Sequence, residues 1–182
     1  NTPIMEIGSC ISSATELSYT SILGTSGSWR NSGDTKDNVF DGNTNTFFDA
    51  PDNDADNAWA GLDFGSEKEI TCITYRPRRN EEDRMQGGRF EIANDANFRD
   101  FTVIYNIPSD EEISFQDYTI KSDSPISARY IRYVSPNDSW GNVAEITVNG
   151  NEVATPPNTP IMEIGSCISS ATELSYTSIL GT

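Results

Sequence analysis

The sequence contains no histidine. That absence excludes Ser-His-Asp and Cys-His catalysis and every zinc site built on imidazole. Cysteine is scarce, with three in 182 residues at scattered positions, so no zinc-binding thiol motif is present. Basic residues are few: 12 stand against 28 acidic ones, for a formal charge of −16. Such a surface repels nucleic acid and anionic lipid, so neither is expected as a partner. It suits solubility and the binding of hard cations such as Ca²⁺ through oxygen ligands. No apolar run approaches the roughly 18 residues needed to cross a bilayer, so membrane insertion is not expected. No basic stretch followed by an apolar core opens the chain, so a signal peptide is not expected within it. Enzyme chemistry is left with carboxylate pairs, and no motif singles one out.

What is present is a repeat. Residues 1–25 read NTPIMEIGSCISSATELSYTSILGT, and residues 158–182 read the same, letter for letter. The period from position 1 to position 158 is that of a whole domain with its linker, far too long for a solenoid unit. An array of near-identical domains and a deliberate duplication both account for it. Cysteine arithmetic follows. One period holds Cys10 and Cys72, and Cys167 is the second copy of Cys10. One disulfide per period can form within a repeat (Cys10–Cys72) or across the boundary (Cys72–Cys167), and free thiols are the third alternative.

The organisation is that of many short strands. Residues 1–16 read as a Ser/Thr-rich linker, and Leu17–Gly24 as the first strand. Further strands are expected at Trp59–Phe64, Glu69–Tyr75, Arg89–Ala93, Phe101–Tyr105, Glu112–Phe115, Ala128–Val134 and Val143–Val148. Gly, Pro, Asn and Asp punctuate the connections. No segment holds a 3.6-residue apolar period over three turns, so an antiparallel sandwich or barrel is expected. The domain then spans 17–150, a Pro-rich linker 151–157, and the start of the next repeat 158–182.

Six pieces in order carry a resemblance. They are VFDGNTNTFFDA (39–50), WAGLDFG (59–65), ITCITYRPR (70–78), RMQGGRFEIANDANF (84–98), ARYIRYVSP (128–136) and GNVAEITVNG (141–150). Together they make the chain resemble the discoidin-like (coagulation factor 5/8 type C) domains and their bacterial relatives among carbohydrate-binding modules. The resemblance implies an all-β, eight-stranded antiparallel jelly-roll sandwich of the galactose-binding-like kind, with binding loops at one end. It also implies a structural Ca²⁺ on the D-G-N-T-N-T loop. Its ligands would be Asp41, Thr46 and Glu145, with the carbonyls of Phe40, Asn43 and Ala144. Trp59, Tyr130 and Tyr133 fall where packing residues are expected.

The candidate ligand site follows from the same pieces. In sugar-binding relatives a histidine, an arginine, an asparagine and an aromatic hold the sugar. Here Asp49 occupies the histidine position, Arg78 matches the arginine, and Trp140 matches the aromatic. Arg84 and Met85 fill the region where the asparagine is expected. Asp49 and Arg78 offer an acceptor and a rigid donor fork for hydroxyl groups. Trp29 and Trp140 both lie among loop-forming residues, where an aromatic face suits a sugar ring. The expected role is an extracellular, non-catalytic binding module whose partners are a glycan or cell-surface ligand and neighbouring copies of itself. The alternatives are a structural repeat of an extracellular fibre joined through the duplicated segment, and an accessory module beside an enzyme domain. For the duplicated segment the expectation is that 158–182 occupies, relative to a neighbouring copy, the position that 1–25 occupies here.

Overall fold

Period-2 burial marks part of the strand that follows Tyr118. In the stretch Ile126–Tyr130, Ile126, Ala128 and Tyr130 are buried, while Ser127 is exposed and Arg129 half-buried. Successive strand side chains point to opposite faces, so one face enters a core and the other meets water. A computed structural model of the chain describes residues 5–152. It contains strands β1 (Glu6–Ile7), β2 (Thr15–Glu16), β3 (Ser21–Gly24), β4 (Trp59–Arg76), β5 (Arg89–Ala93), β6 (Phe101–Asn106), β7 (Tyr118–Val134) and β8 (Glu145–Glu152). All their pairings are antiparallel. The helical elements among the described residues are short 3₁₀ turns.

The two long strands build both layers. The first part of β4, Trp59–Asp63, pairs with β3 and with the end of β7. That end of β7 pairs with β5, and β5 with β6. The second part of β4, from Lys68, pairs with β8 and with the start of β7. Strands β2 and β1 flank β8 and β7 on that side. Register shifts between Asp63 and Lys68, and between Ile70 and Cys72, lie where β4 passes from one layer to the other. Such irregularities bend a strand and raise its twist. The result is the expected all-β jelly-roll sandwich. Phe48, Leu62, Ile73, Tyr75, Phe90 and Tyr133 belong to its core.

Several expectations are corrected by packing. Residues 5–16 are not linker: Met5 is buried, Glu6–Ile7 pairs with β7, and Thr15–Glu16 pairs with β8. Their Ser/Thr-rich composition hides the few anchors that hold them. The strand expected at Leu17–Gly24 is divided. Leu17 is buried and its N–H donates to the Val148 carbonyl at 2.9 Å, before the chain crosses to β3 in the other layer. Glu112–Phe115 is loop, and β7 begins at Tyr118, well before the expected Ala128. Trp59 is half-buried in a side cluster, edge-on to Phe98 with ring centroids 5.6 Å apart. Tyr130 joins that cluster, and Tyr133 packs on Phe90 in the main core.

Cys10 and Cys72 form a disulfide, with Cα atoms 5.5 Å apart. It ties the segment between β1 and β2 to the middle of β4. Closing a loop of this length contributes about 4 kcal/mol in the chain-entropy treatment. Cys167, most of the linker 151–157 and the second copy 158–182 lie outside the described residues.

Candidate functional site at the loop end

Four connecting segments meet at one end of the sandwich. An isolated bridge joins Phe48 to Val143. Beside it the Trp29 N–H donates to the Asp49 carbonyl at 2.7 Å, and the Ala50 N–H to the Trp140 carbonyl at 2.7 Å. The loop that follows β4 brings Arg78, Glu81 and Arg84 to the same place. Trp140 and Gly141 both take left-handed backbone conformations, with φ 50° and 71°. A side chain at Gly141 would collide with the Phe48 ring, so only glycine lets the turn close here.

Asn142 is the hub. It is fully buried. Its Nδ2 donates to Asp49 Oδ1 at 3.0 Å and to the Phe48 carbonyl at 3.2 Å. Its Oδ1 accepts from Arg78 Nη1 at 2.8 Å and from Arg84 Nη1 at 3.1 Å. Arg78 Nη1 also donates to Asp49 Oδ2 at 2.9 Å. Arg84 Nε pairs with Glu81 Oε2 at 2.8 Å. Each guanidinium rests on a ring: Arg78 lies 3.8 Å from the Phe47 centroid, and Arg84 lies 4.9 Å from that of Trp140. Buried polar groups tied together in this way hold one geometry.

These side chains line a cavity of about 230 Å³, bounded by Trp29, Asp49, Arg78, Glu81, Arg84 and Trp140. Two indole rings, two carboxylates and two guanidinium forks suit a polyhydroxylated ring, with its apolar faces and hydroxyl-bearing edge. A larger depression of about 320 Å³ beside Ala93, Asn94, Asp95 and Ser127 has no aromatic side chain in its lining.

All five candidate ligand residues, Asp49, Arg78, Trp140, Trp29 and Arg84, line the one cavity. Asn142 and Glu81 are the additions. Asn142 stands in the quoted GNVAE piece, but its role depends on a buried contact between distant segments. Glu81 lies three residues from Arg84, and that spacing was the available signal.

The expected Ca²⁺ site is overturned. Among the described residues no group of three or more His, Cys, Asp or Glu side chains could hold a metal ion. At the loop itself only Asp41 and Glu145 bring carboxylates, and Asp41 is turned inward. Its Oδ1 accepts the Asn43 N–H at 2.8 Å, and the Thr46 hydroxyl lies 3.0 and 2.8 Å from its two oxygens. The Asn43 carbonyl accepts from the Thr46 N–H at 3.1 Å and lies 2.6 Å from its hydroxyl. The Phe40 carbonyl faces the Tyr19 hydroxyl at 3.5 Å. Ala144 is tied down through its own N–H to the Arg76 carbonyl at 2.9 Å. Burial, and then the charge of Asp41, push the Glu145 carboxyl up to about 7. The oxygens expected to gather a cation are instead engaged within a self-closed Asx turn.

A two-layer sandwich with a polar and aromatic cavity at its loop end is the architecture of a carbohydrate-binding module. The F5/8 type C domain model matches residues 15–147, and the chain belongs to that family. It is 41% identical to CBM62 from Clostridium thermocellum Xyl5A, over 76% of this chain and 98% of that one, with a TM-score of 0.69. The family 32 module of C. perfringens NanJ, solved in complex with galactose, is 21% identical over 71% of this chain and 92% of that one, with a TM-score of 0.58. A truncated AlyQ with CBM32 and alginate lyase domains is 17% identical over 79% of this chain and 35% of that one, with a TM-score of 0.57. The last two likenesses are likenesses of fold. No curated protein matches. The chain is a non-catalytic module of the carbohydrate-binding type. Among the described residues no helix is long and apolar enough to cross a membrane.

Proposed function

We propose that this module binds glycans outside the cell, holding the non-reducing end of a chain in the cavity between Trp29 and Trp140. The observation that carries the reading is the convergence of two tryptophans on the Asp49–Arg78–Asn142–Arg84 network in one cavity. Trp140 and Trp29 stack on the ring, and Asp49, Arg78 and Arg84 pair with its hydroxyls. The likeness to CBM62 of Xyl5A, at 41% identity, supports a sugar ligand. The Cys10–Cys72 disulfide supports an oxidising, extracellular compartment. A cavity this shallow binds weakly alone. The duplicated segment supports an array of copies, in which avidity rises without new contacts and serves adhesion.

The test is a glycan array probed with a multi-copy protein and with its Trp140→Ala variant. Selective binding that the substitution removes is expected. If both proteins bind every glycan alike, the assigned cavity is wrong.

A second reading, a structural repeat of an extracellular fibre, is favoured by one observation. The sequence that recurs at 158–182 is the one that forms β1, β2, β3 and the Cys10 bond at the start of this module. In a following copy it would begin the same sandwich. Light scattering on a multi-copy protein separates the readings: end-to-end assembly without any glycan ligand favours the fibre.

A further inference from the structure

A second cavity, of about 190 Å³, shares no residue with that of the two tryptophans. It opens where β1, β4, β6 and the start of β7 meet the loop that joins β6 to β7. The strands supply three tyrosines: Tyr75 near the end of β4, Tyr105 in β6 and Tyr118 at the start of β7. Tyr75 and Tyr118 stack, with ring centroids 5.4 Å apart and an angle of 15° between the planes. Ile7, exposed on β1, adds an apolar side chain. The loop adds Ile107, Pro108 and Ile113, and with them the exposed Glu111 and Glu112.

The lining decides the chemistry. It holds no Lys, Arg, Asn, Gln, Ser or Thr, so it lacks both a counter-ion for an acid and the amide and guanidinium donors that suit a sugar. The tyrosine hydroxyls are engaged: those of Tyr75 and Tyr105 bond to each other, and that of Tyr118 accepts the Ser114 N–H at 2.9 Å. Burial raises the Tyr105 hydroxyl, and the charge of Glu111 adds to the effect. The cations of the neighbouring elements are held elsewhere. Arg76 pairs with Asp117, Lys121 with Glu6 and Asp123, and Arg89 with Glu91, while Arg79 rests 4.0 Å from the Phe115 centroid. None of these four pairs with Glu111 or Glu112. What the cavity offers is aromatic rings, apolar walls and two carboxylates. A cation that carries methyl groups suits all three, since rings and carboxylates attract its charge and the apolar walls cover its methyls. A bare ammonium would give up its water to a lining with few acceptors.

We propose that this cavity binds a small soluble N-methylated ammonium compound, with the tyrosine rings against its methyl groups and Glu111 and Glu112 as its counter-ions. An ammonium tied to a phosphate fits less well, because the phosphate would meet the same two carboxylates. The site is separate from the glycan-binding reading of the first cavity and does not rest on it.

The test titrates the module with choline, with the neutral alcohol in which a tert-butyl group replaces the trimethylammonium, with ethanolamine and with phosphocholine, following the tyrosine ring signals by NMR. Choline is expected to bind about tenfold more tightly than its neutral counterpart, and more tightly than ethanolamine or phosphocholine. Tyr118→Leu and, separately, Glu112→Gln are each expected to weaken choline about fivefold. Glu112→Gln is an exposed change, so its melting temperature should match the parent's. Choline and the neutral alcohol bound alike would make the cavity merely apolar and overturn the proposal. Ethanolamine bound as tightly as choline overturns the role of the methyl groups, and phosphocholine bound as tightly overturns the exclusion of a phosphate-linked ammonium. Choline binding that survives both substitutions overturns the location. Binding of none of the four overturns the site and leaves the cavity of the two tryptophans as it stands.

Discussion

The Asn142 amide holds the Asp49 carboxylate 3.0 Å from its Nδ2, and both side chains are buried although 93 residues separate them. The bond joins the segment that follows the Asx-turn loop to the segment that leads into β8. Asn142→Ala would leave Asp49, Arg78 and Arg84 each short of a partner. Losing one member of a buried polar set costs about 1–3 kcal/mol. A urea melt should show that loss, and a glycan array should show binding gone. A stable, fully binding variant would show that Asn142 is not the hub.

Arg78→Lys separates charge from shape. Lysine keeps the cation but cannot bridge Asp49 and Asn142 while lying flat on Phe47. Glycan affinity should fall about tenfold, with the far-UV circular dichroism unchanged. Titration calorimetry against the tightest array hit measures it. Equal affinity would mean that charge alone is used.

Glu145 gives a pH signature. Half-burial, and then the charge of Asp41, push its folded carboxyl up to about 7, against an ordinary value of 4.5. The raised value means the folded protein binds the extra proton between those limits. Stability from this group is therefore complete below pH 4.5 and falls as pH rises through 7. Partial exposure screens the effect to about 1 kcal/mol. In chelator-containing buffer, Glu145→Gln should exceed the parent in stability at pH 8 and match it at pH 4.5. Parallel pH profiles for the two proteins would contradict this.

Reducing the Cys10–Cys72 bond should lower stability by about 4 kcal/mol, since it frees a loop with a sequence separation of 62. Thermal melts with and without reductant measure this. An unchanged melt would mean that β1 and β2 are held by pairing alone.

The legible parts of the chain were those in which local chemistry and final environment agree. ARYIRYV is rich in aromatic and β-branched residues and becomes the end of β7. Trp29 and Trp140 stand among small polar residues and line a cavity. What stayed hidden depends on distant partners. Asn142 is an ordinary loop asparagine until Arg78, Arg84 and Asp49 surround it. The D-G-N-T-N-T loop misled because the oxygens that could gather a cation also close the turn on themselves through Thr46 and Asp41. Residues 5–16 misled because a composition of small polar residues does not reveal which two dipeptides will find a strand edge.

The Cys10–Cys72 bond also sets how the module carries tension. A pull entering from the N-terminal side reaches Cys10 and passes directly to Cys72 on β4, which is paired with Asn149 on the outgoing strand β8. The residues between the two cysteines, with Trp29 and Asp49 among them, lie off this load path. In an array under shear, the cavity-lining loops on that stretch would keep their shape while the chain is stretched around them. Single-molecule pulling would register it as a missing extension of about 200 Å in each oxidised module, restored by reductant.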